Sequence, residues 1–383
     1  MHSDLLKIFG RKNVVQYDNL KNLTVIVPSF SRHEFILRQI SYWHGTGATL
    51  IVIDGSEHSL EDRFQGEIDK FNDVVYIHST LQLNLRLTLA GQLIQSKYAV
   101  YCSDDDFLLH SALSNAINVL EKNPDLVACM GQSLRFNVLS DNRVSYGTCY
   151  AFKNPDLTSN SYEDRIAAAT SSYTPVTCHA VMRSETWKTS WGSIPGYSSS
   201  QILEFYQAIA LYLSGKLLIT QDLYLLRTLE NLPLSTTDAN RSISSSEWWH
   251  KDLFGSEKVD FLDKLSNLAN KQSHSEETLI KKFLFDQMDI LINNLPKEPS
   301  KSSRILINLR IRIKHVFPNL FNLLRKILIF LRPRTKILNL GFLGDLKLVS
   351  SDSFLISNKS QLDLLVIEEL ISNFYKVGAS RKH

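Results

Sequence analysis

The sequence predicts an α/β fold: a doubly wound, mostly parallel central sheet with an antiparallel extension, followed by a helical C-terminal region. Near the N-terminus, short β-branched runs alternate with helical periodicity through four strands in about eighty residues. Each run ends in a polar or turn-forming cluster, as strands of such sheets do at their ligand-binding edge. Beyond residue 253 the pattern is helical, with no new strand-rich unit.

LTVIV (23–27) is a continuous apolar run closed by Pro28, the pattern of a strand buried on both faces. In SRHEFILRQISYW, Ser31 and Glu34 form a candidate capping box, and Phe35, Ile36, Ile40 and Trp43 recur at helical spacing. TLIVI (49–53) is a second buried strand, ended by Asp54-Gly55-Ser56. A helix is expected over 59–72, a strand over 74–77, a helix over 84–96 and a fourth strand, YAVYC, over 98–102. Ser111 starts a helix that runs to Asn123-Pro124. LVACMGQSLRF (126–136), TPVTCHAVM (174–182) and KLLITQDLYLL (216–226) then read as strands, and 199–213 as a helix. The organisation expected is an N-terminal extension (1–21), the α/β domain (22–230), a Ser/Thr-rich flexible loop (231–252) and the helical region (253–383).

At 383 residues, 44% hydrophobic and 21% charged, the chain has material for a sizeable core and does not read as disordered. A formal net charge of +3 gives no reason to expect nucleic acid as a partner. Cys102, Cys129, Cys149 and Cys178 are scattered without a CxxC pair. That fits neither a zinc site nor a disulfide framework, and it favours a reducing compartment. The opening MHSDLLKIFGRKNVVQYDNLKN lacks a signal-peptide core, and no run of about 18 apolar residues occurs, so a cytoplasmic location is expected.

The expected carboxyl ends of the strands carry Pro28-Ser29-Phe30, Asp54-Gly55-Ser56 and Asp104-Asp105-Asp106, which therefore converge on one edge. Three adjacent carboxylates repel one another. Asp104 and Asp106, with Asp105 assisting, are candidate ligands of a hard divalent cation, Mn²⁺ or Mg²⁺, shared with substrate phosphates. The alternative is a solvated turn that caps the following helix.

VIVPSFSR, LIVIDGS, YAVYCSDDDF and CHAVMRSETW…ILEFYQAIALYLSGKLLI resemble, in that order, the signature blocks of bacterial family 2-like glycosyltransferases with the GT-A fold. The resemblance covers roughly 22–230. It implies a Rossmann-like GT-A domain that takes a nucleotide-sugar donor and transfers the sugar, with inversion, to a glycan or lipid-linked acceptor in bacterial surface or secreted glycan synthesis. Pro28, Ser29, Phe30, Asp54, Gly55 and Ser56 would then shape the nucleotide pocket, and Asp104 to Asp106 would be the DxD metal motif. The family commonly opens a helix with a Glu-Asp pair, whose Asp is the base, and places a Gly eleven residues later. Here the pair reads Leu203-Glu204 and the glycine is Gly215, so Glu204 is the candidate base, or else a surface helix residue.

Arg32, Asn84 and Arg86 are candidates for diphosphate or base contacts, or exposed helix charges. His179 would face the acceptor if alternation turns it inward, or is a core histidine. In EWWH, Trp248 and Trp249 would stack on a sugar and His250 would reach the metal on loop closure, or the segment packs onto the body. Arg183 and Trp187 belong to the scaffold. From Lys301 to Lys336 every charge is positive and apolar residues interleave, which suits a helix on an anionic membrane surface, or a core-packing pair with a basic face. Two rivals to the transferase stand. A nucleotidyltransferase is disfavoured because PSFSRHEF has no glycine for a phosphate loop. A degenerate GT-A fold acting as a binding or assembly subunit is left room by Leu203-Glu204.

Overall fold

The structure, a computed structural model, describes residues 16–138, 143–149, 157–173, 175–228, 243–271, 276–295, 339–342 and 356–379. Residues 1–293 and 340–383 form one compact unit; 294–339 form a second, nearly all of it outside the described residues. The basic segment 301–336 and residues 231–242 of the expected loop therefore lie outside the described residues.

The apolar runs form the parallel core as their patterning requires. β1 (Leu23–Ser29) is buried along its whole length and pairs in parallel with β2 (Thr49–Asp54) from Thr24 to Ser29. β2 pairs in parallel with β3 (Val74–His78). On the other side of β1 lies β4 (Tyr98–Tyr101), paired only from Leu23 to Ile26. The connecting helices are α1 (His33–Trp43), α2 (Asp62–Ile68) and α3 (Leu83–Leu93). The chain steps one way from β1 to β3 and then returns to β4 across β1, so strand order reverses between β1 and β4. This reversal opens a crevice at the carboxyl ends. Pro28 sits at that opening. Ile26 gives its carbonyl to Cys102 N–H, so Pro28, two residues on, faces the same side but past the end of β4, where no ladder donor is required.

After the acidic turn come β5 (Phe107–Leu108) and α4 (His110–Lys122). The antiparallel extension is β6 (Leu126–Val138), β7 (Arg143–Cys149) and β8 (Val181–Arg183), with β8 joining β4 to β6. β9 (Lys216–Thr228) runs parallel to β6 and antiparallel to β5. Helices α5 (Tyr162–Ser171), α6 (Ser184–Ser190) and α7 (Ser200–Ser214) stand between these strands in sequence. The result is the mostly parallel sheet with an antiparallel extension that the sequence predicts.

Several local expectations differ. Ser31 does not cap α1: its φ is +56°, and Arg32 takes the cap position without a side-chain cap bond. The expected 174–182 strand is instead a 3-10 turn over Pro175–His179 and then β8, because β4 offers β8 only Tyr98 and Ala99 as partners. The short α5 was not anticipated, although Ser161 and Asp164 carry its signal: the Ser161 hydroxyl accepts from Asp164 N–H. Within the expected loop, residues 245–250 form helix α8 (Ser245–His250).

The C-terminal region supplies α9 (Gly255–Asn270), α10 (Glu277–Asn294), a short edge strand β10 (Asn339–Phe342) beside β7, and α11 (Asn358–Ala379). α11 docks on the parallel core. Asp363 Oδ2 accepts from Ser111 N–H at 2.7 Å, satisfying the start of α4, and the Phe374 ring lies 5.2 Å from that of Phe35. Among the described residues no helix is long and apolar enough to cross a membrane.

Gly215, which ends α7, has φ +155°, and a Cβ there would lie 2.6 Å from Val127 Cγ1. Gly215→Ala should therefore destabilise the fold by about 1–3 kcal/mol, read as a lower urea midpoint with an unchanged m-value.

Candidate active site

The loop after β1 and the Asp54 turn after β2 are tied together. Asp54 is buried; its Oδ1 accepts from Ser56 N–H at 2.9 Å and from the Ser56 hydroxyl, and its Oδ2 accepts from Tyr76 Oη at 2.8 Å. His33 Nε2 lies 3.1 Å from the same Oδ2, without hydrogen-bond alignment. The Ser56 hydroxyl in turn accepts from Ser31 N–H at 2.8 Å, which holds the left-handed elbow at Ser31. Asp54 thus spends its carboxylate inside the turn, and Phe30, 47% exposed, projects beside it.

Arg86 corrects an expectation. Its guanidinium donates to the carbonyls of Ser29 (2.8 Å), Ile53 (3.0 Å) and Leu81 (3.1 Å), clamping the ends of β1 and β2 rather than facing a diphosphate. A Cβ on Gly55 would lie 2.3 Å from its Cζ, so only glycine leaves room for the clamp. Asn84, also buried, lies against Gly196.

The acidic turn sits across the crevice. Asp104, 3% exposed, accepts from the Ser29 hydroxyl at 2.7 Å on Oδ2 and from Arg32 NH1 at 3.0 Å on Oδ1. The same NH1 lies 3.5 Å from Asp105 Oδ2. Asp106, equally buried, accepts from Thr228 N–H at 2.9 Å on Oδ1. Burial, then the Asp105 charge, push the Asp104 carboxyl up to about 6, and the same two causes push Asp106 further up. Among the described residues no three His, Cys, Asp or Glu side chains converge as a cage. Two buried carboxylates on one turn fit a hard cation whose other ligands are water and substrate phosphate.

Beneath the turn are residues the sequence reading missed. Gln39 Nε2 donates to the carbonyls of Asp104 (3.0 Å) and Asp106 (2.7 Å), and Arg38 NH2 to that of Asp105 (2.9 Å). Both side chains are buried on α1, where two polar residues interrupt an otherwise apolar run; that interruption was the available signal. His33 and Tyr76 left no comparable trace.

Glu204 lies in the second turn of α7. Its side chain is exposed, while desolvation by the protein around the carboxyl pushes it up to about 7. Tyr101, at the end of β4, lies within electrostatic range of both Glu204 and the acidic turn. Protein encloses the Tyr101 phenol, and this burial, with the charges of Cys178, Asp104, Glu204 and Asp106 around it, holds the phenol well above its ordinary range. Its ring stacks on Trp191 with centroids 4.5 Å apart. His179, on the 3-10 turn, is buried with Nδ1 3.1 Å from the Tyr101 carbonyl, and burial lowers it to about 4. It is a neutral brace for the end of β4.

Trp248 and Trp249 are not presented to a sugar. Both are buried, and their indole N–H groups donate to Glu257 (2.5 Å) and Asp289 (3.2 Å), because α8 packs its aromatic face against α9 and α10. His250 is exposed at the end of α8. Arg183, bonded to the carbonyls of Leu126 and Leu120, and buried Trp187 serve the scaffold.

Between about pH 5 and pH 8, folded Asp106 holds a proton that the unfolded chain has released, so the protein loses stability as pH rises through this window. Asp106→Asn removes that dependence and keeps the acceptor for Thr228. Its stability relative to wild type should rise with pH, by up to about 1.4 kcal/mol per unit, in cation-free urea melts.

No family model matches the chain, and no curated protein matches it. Solved structures of S. aureus TarS are similar in architecture. TarS 1-349 in complex with UDP-GlcNAc has a TM-score of 0.47 at 11% identity, covering 71% of this chain and 73% of that one. The complex with UDP has a TM-score of 0.43 at 12% identity, covering 70% of each chain. TarS 1-349 alone has a TM-score of 0.41 at 12% identity, covering 70% of this chain and 89% of that one.

Proposed function

We propose that the protein is a glycosyltransferase that moves a sugar from a nucleotide-sugar donor to an acceptor hydroxyl, with inversion and with Mn²⁺ or Mg²⁺. The observation that carries this reading is the pair of buried aspartates, Asp104 and Asp106, held by Ser29, Arg32 and Thr228 on the turn after β4, beside the β1–β4 crevice. A cation-binding pair and a separate carboxylate base are the two devices that sugar transfer from a diphosphate needs.

Asp104 and Asp106 would hold the cation, which when bound neutralises the diphosphate leaving group. Phe30 offers an exposed ring face to the base, on an elbow held by Ser56. Glu204 takes the proton of the acceptor hydroxyl as its oxygen attacks the anomeric carbon and the bond to the diphosphate breaks on the opposite side. A carboxyl raised to about 7 is matched to base work near neutral pH. Asp54 and Arg86 act through the backbone: they hold the strand ends between which the donor would lie. The acceptor is proposed to be a glycan or a lipid-linked intermediate. The basic segment 301–336 is proposed to hold the enzyme on the inner face of the cytoplasmic membrane.

Glu204→Gln should lower kcat by about 10²–10⁴ while leaving the donor KM near its original value, and the acid limb near pH 7 should disappear from the wild-type profile. Donor hydrolysis and transfer assays read this; full activity in the variant removes Glu204 as the base. Asp106→Asn should abolish turnover while near-UV circular dichroism stays native, and normal turnover would remove the metal role. Charge reversal across 301–336 should abolish cosedimentation with anionic vesicles; an intact protein that never sediments with them ends the membrane proposal.

A further inference from the structure

We infer that Arg32 is a built-in counter-cation: it occupies the acidic turn until a donor diphosphate draws it away, so divalent-cation binding waits on the donor. This rests on the glycosyltransferase reading above and assigns a task to a residue that reading leaves without one.

The geometry of the elbow is specific. Ser31 takes φ +56°, a conformation that a serine adopts only when held, and the Ser56 hydroxyl holds it by accepting from Ser31 N–H. Arg32 therefore leaves the end of β1 directed at the acidic turn. Its side chain is 14% exposed, with NH1 3.0 Å from Asp104 Oδ1 and 3.5 Å from Asp105 Oδ2. The Asp104 oxygen that would meet a cation is thus already paired with a guanidinium. Asp106, two residues on, is held through Oδ1 by Thr228 N–H. In this state Asp104, one of the two candidate cation ligands, is already engaged.

A divalent ion entering here would meet a fixed positive charge within about 5 Å, a strong repulsion in a partly desolvated crevice. A guanidinium pairs equally well with carboxylate and with phosphate, through the same planar fork. A diphosphate arriving beside the turn offers Arg32 a second partner. Once Arg32 moves to it, Asp104 is free and the repulsion becomes an attraction shared by both cations and the donor. Order of binding follows: the cation binds weakly alone and tightly with the diphosphate.

The test is Mn²⁺ binding to the full chain, followed by electron paramagnetic resonance, alone and with UDP, GDP and ADP in separate titrations. Wild type should bind Mn²⁺ weakly alone and at least about tenfold more tightly with one of the diphosphates. Arg32→Gln should bind Mn²⁺ alone at least about tenfold more tightly than wild type and lose most of the diphosphate-dependent gain. Arg32→Lys, a point charge without the fork, should fall between the two; it decides the matter if the glutamine variant does not fold. If wild type shows the diphosphate effect but neither variant binds Mn²⁺ alone more tightly than wild type, the inference is overturned and the transferase reading stands. If wild type binds no Mn²⁺ with or without diphosphate, the cation reading falls and the inference with it.

Discussion

The molecule is organised around a place where pairing stops. β4 leaves β1 after Ile26, while β1 runs on through Pro28 to Ser29. The gap exposes the ends of two parallel strands to each other, and the Ser29 hydroxyl spans it to reach Asp104. Most features of the candidate site are ways of holding this split open in one shape. Arg86 fastens β1 to β2 from one side, Gln39 fixes the carbonyls of the acidic turn from below, and Thr228 at the end of β9 anchors Asp106 from the other side.

Such a site is held against its own electrostatics. Two buried carboxylates share a turn with a third, and the nearby cations do not all answer them. Arg38 gives hydrogen bonds to backbone and stacks among the Phe35, Phe107 and Phe374 rings, while Arg86 is committed to carbonyls. Arg32 pairs directly with Asp104 and lies near Asp105, and Arg227 is near enough to favour the charged form of Asp106. An apolar turn would be more stable, because buried charge without full compensation costs folding free energy. Retaining three aspartates there is intelligible if positive charge arrives with a ligand. The packing of α11 against α1 and α4 supplies rigidity from outside the α/β core, through Asp363 at the start of α4.

The aromatic segment on α8 shows where composition leaves two readings open. Two adjacent tryptophans in a Ser-rich stretch read either as a sugar-stacking lid or as a segment packed onto the body, since a tryptophan pair is a large apolar area seeking burial. The structure satisfies that demand against Phe261 and Phe285, with both indole N–H groups paired, so no ring face is left for a ligand. Arg86 is the residue that misled. A cation near a strand end looked available to phosphate, whereas the carbonyls of Ser29 and Ile53 at the ends of β1 and β2, with that of Leu81 before α3, engage it.

By itself the sequence determined the parallel core, because continuous apolar runs separated by helical periodicity bury both faces of each strand in only one way. It also determined that Asp104, Asp105 and Asp106 end β4, since strand ends follow from local pattern. Tertiary structure alone decided which polar groups remain open. Asp54, Ser56, Tyr76 and His33 meet across turns separated by up to 43 positions, and Thr228 meets Asp106 from a strand more than a hundred residues away. Hydrogen bonds between distant segments leave no period in the chain, so whether a polar side chain is spent on the fold or kept for a ligand is settled only when the segments meet.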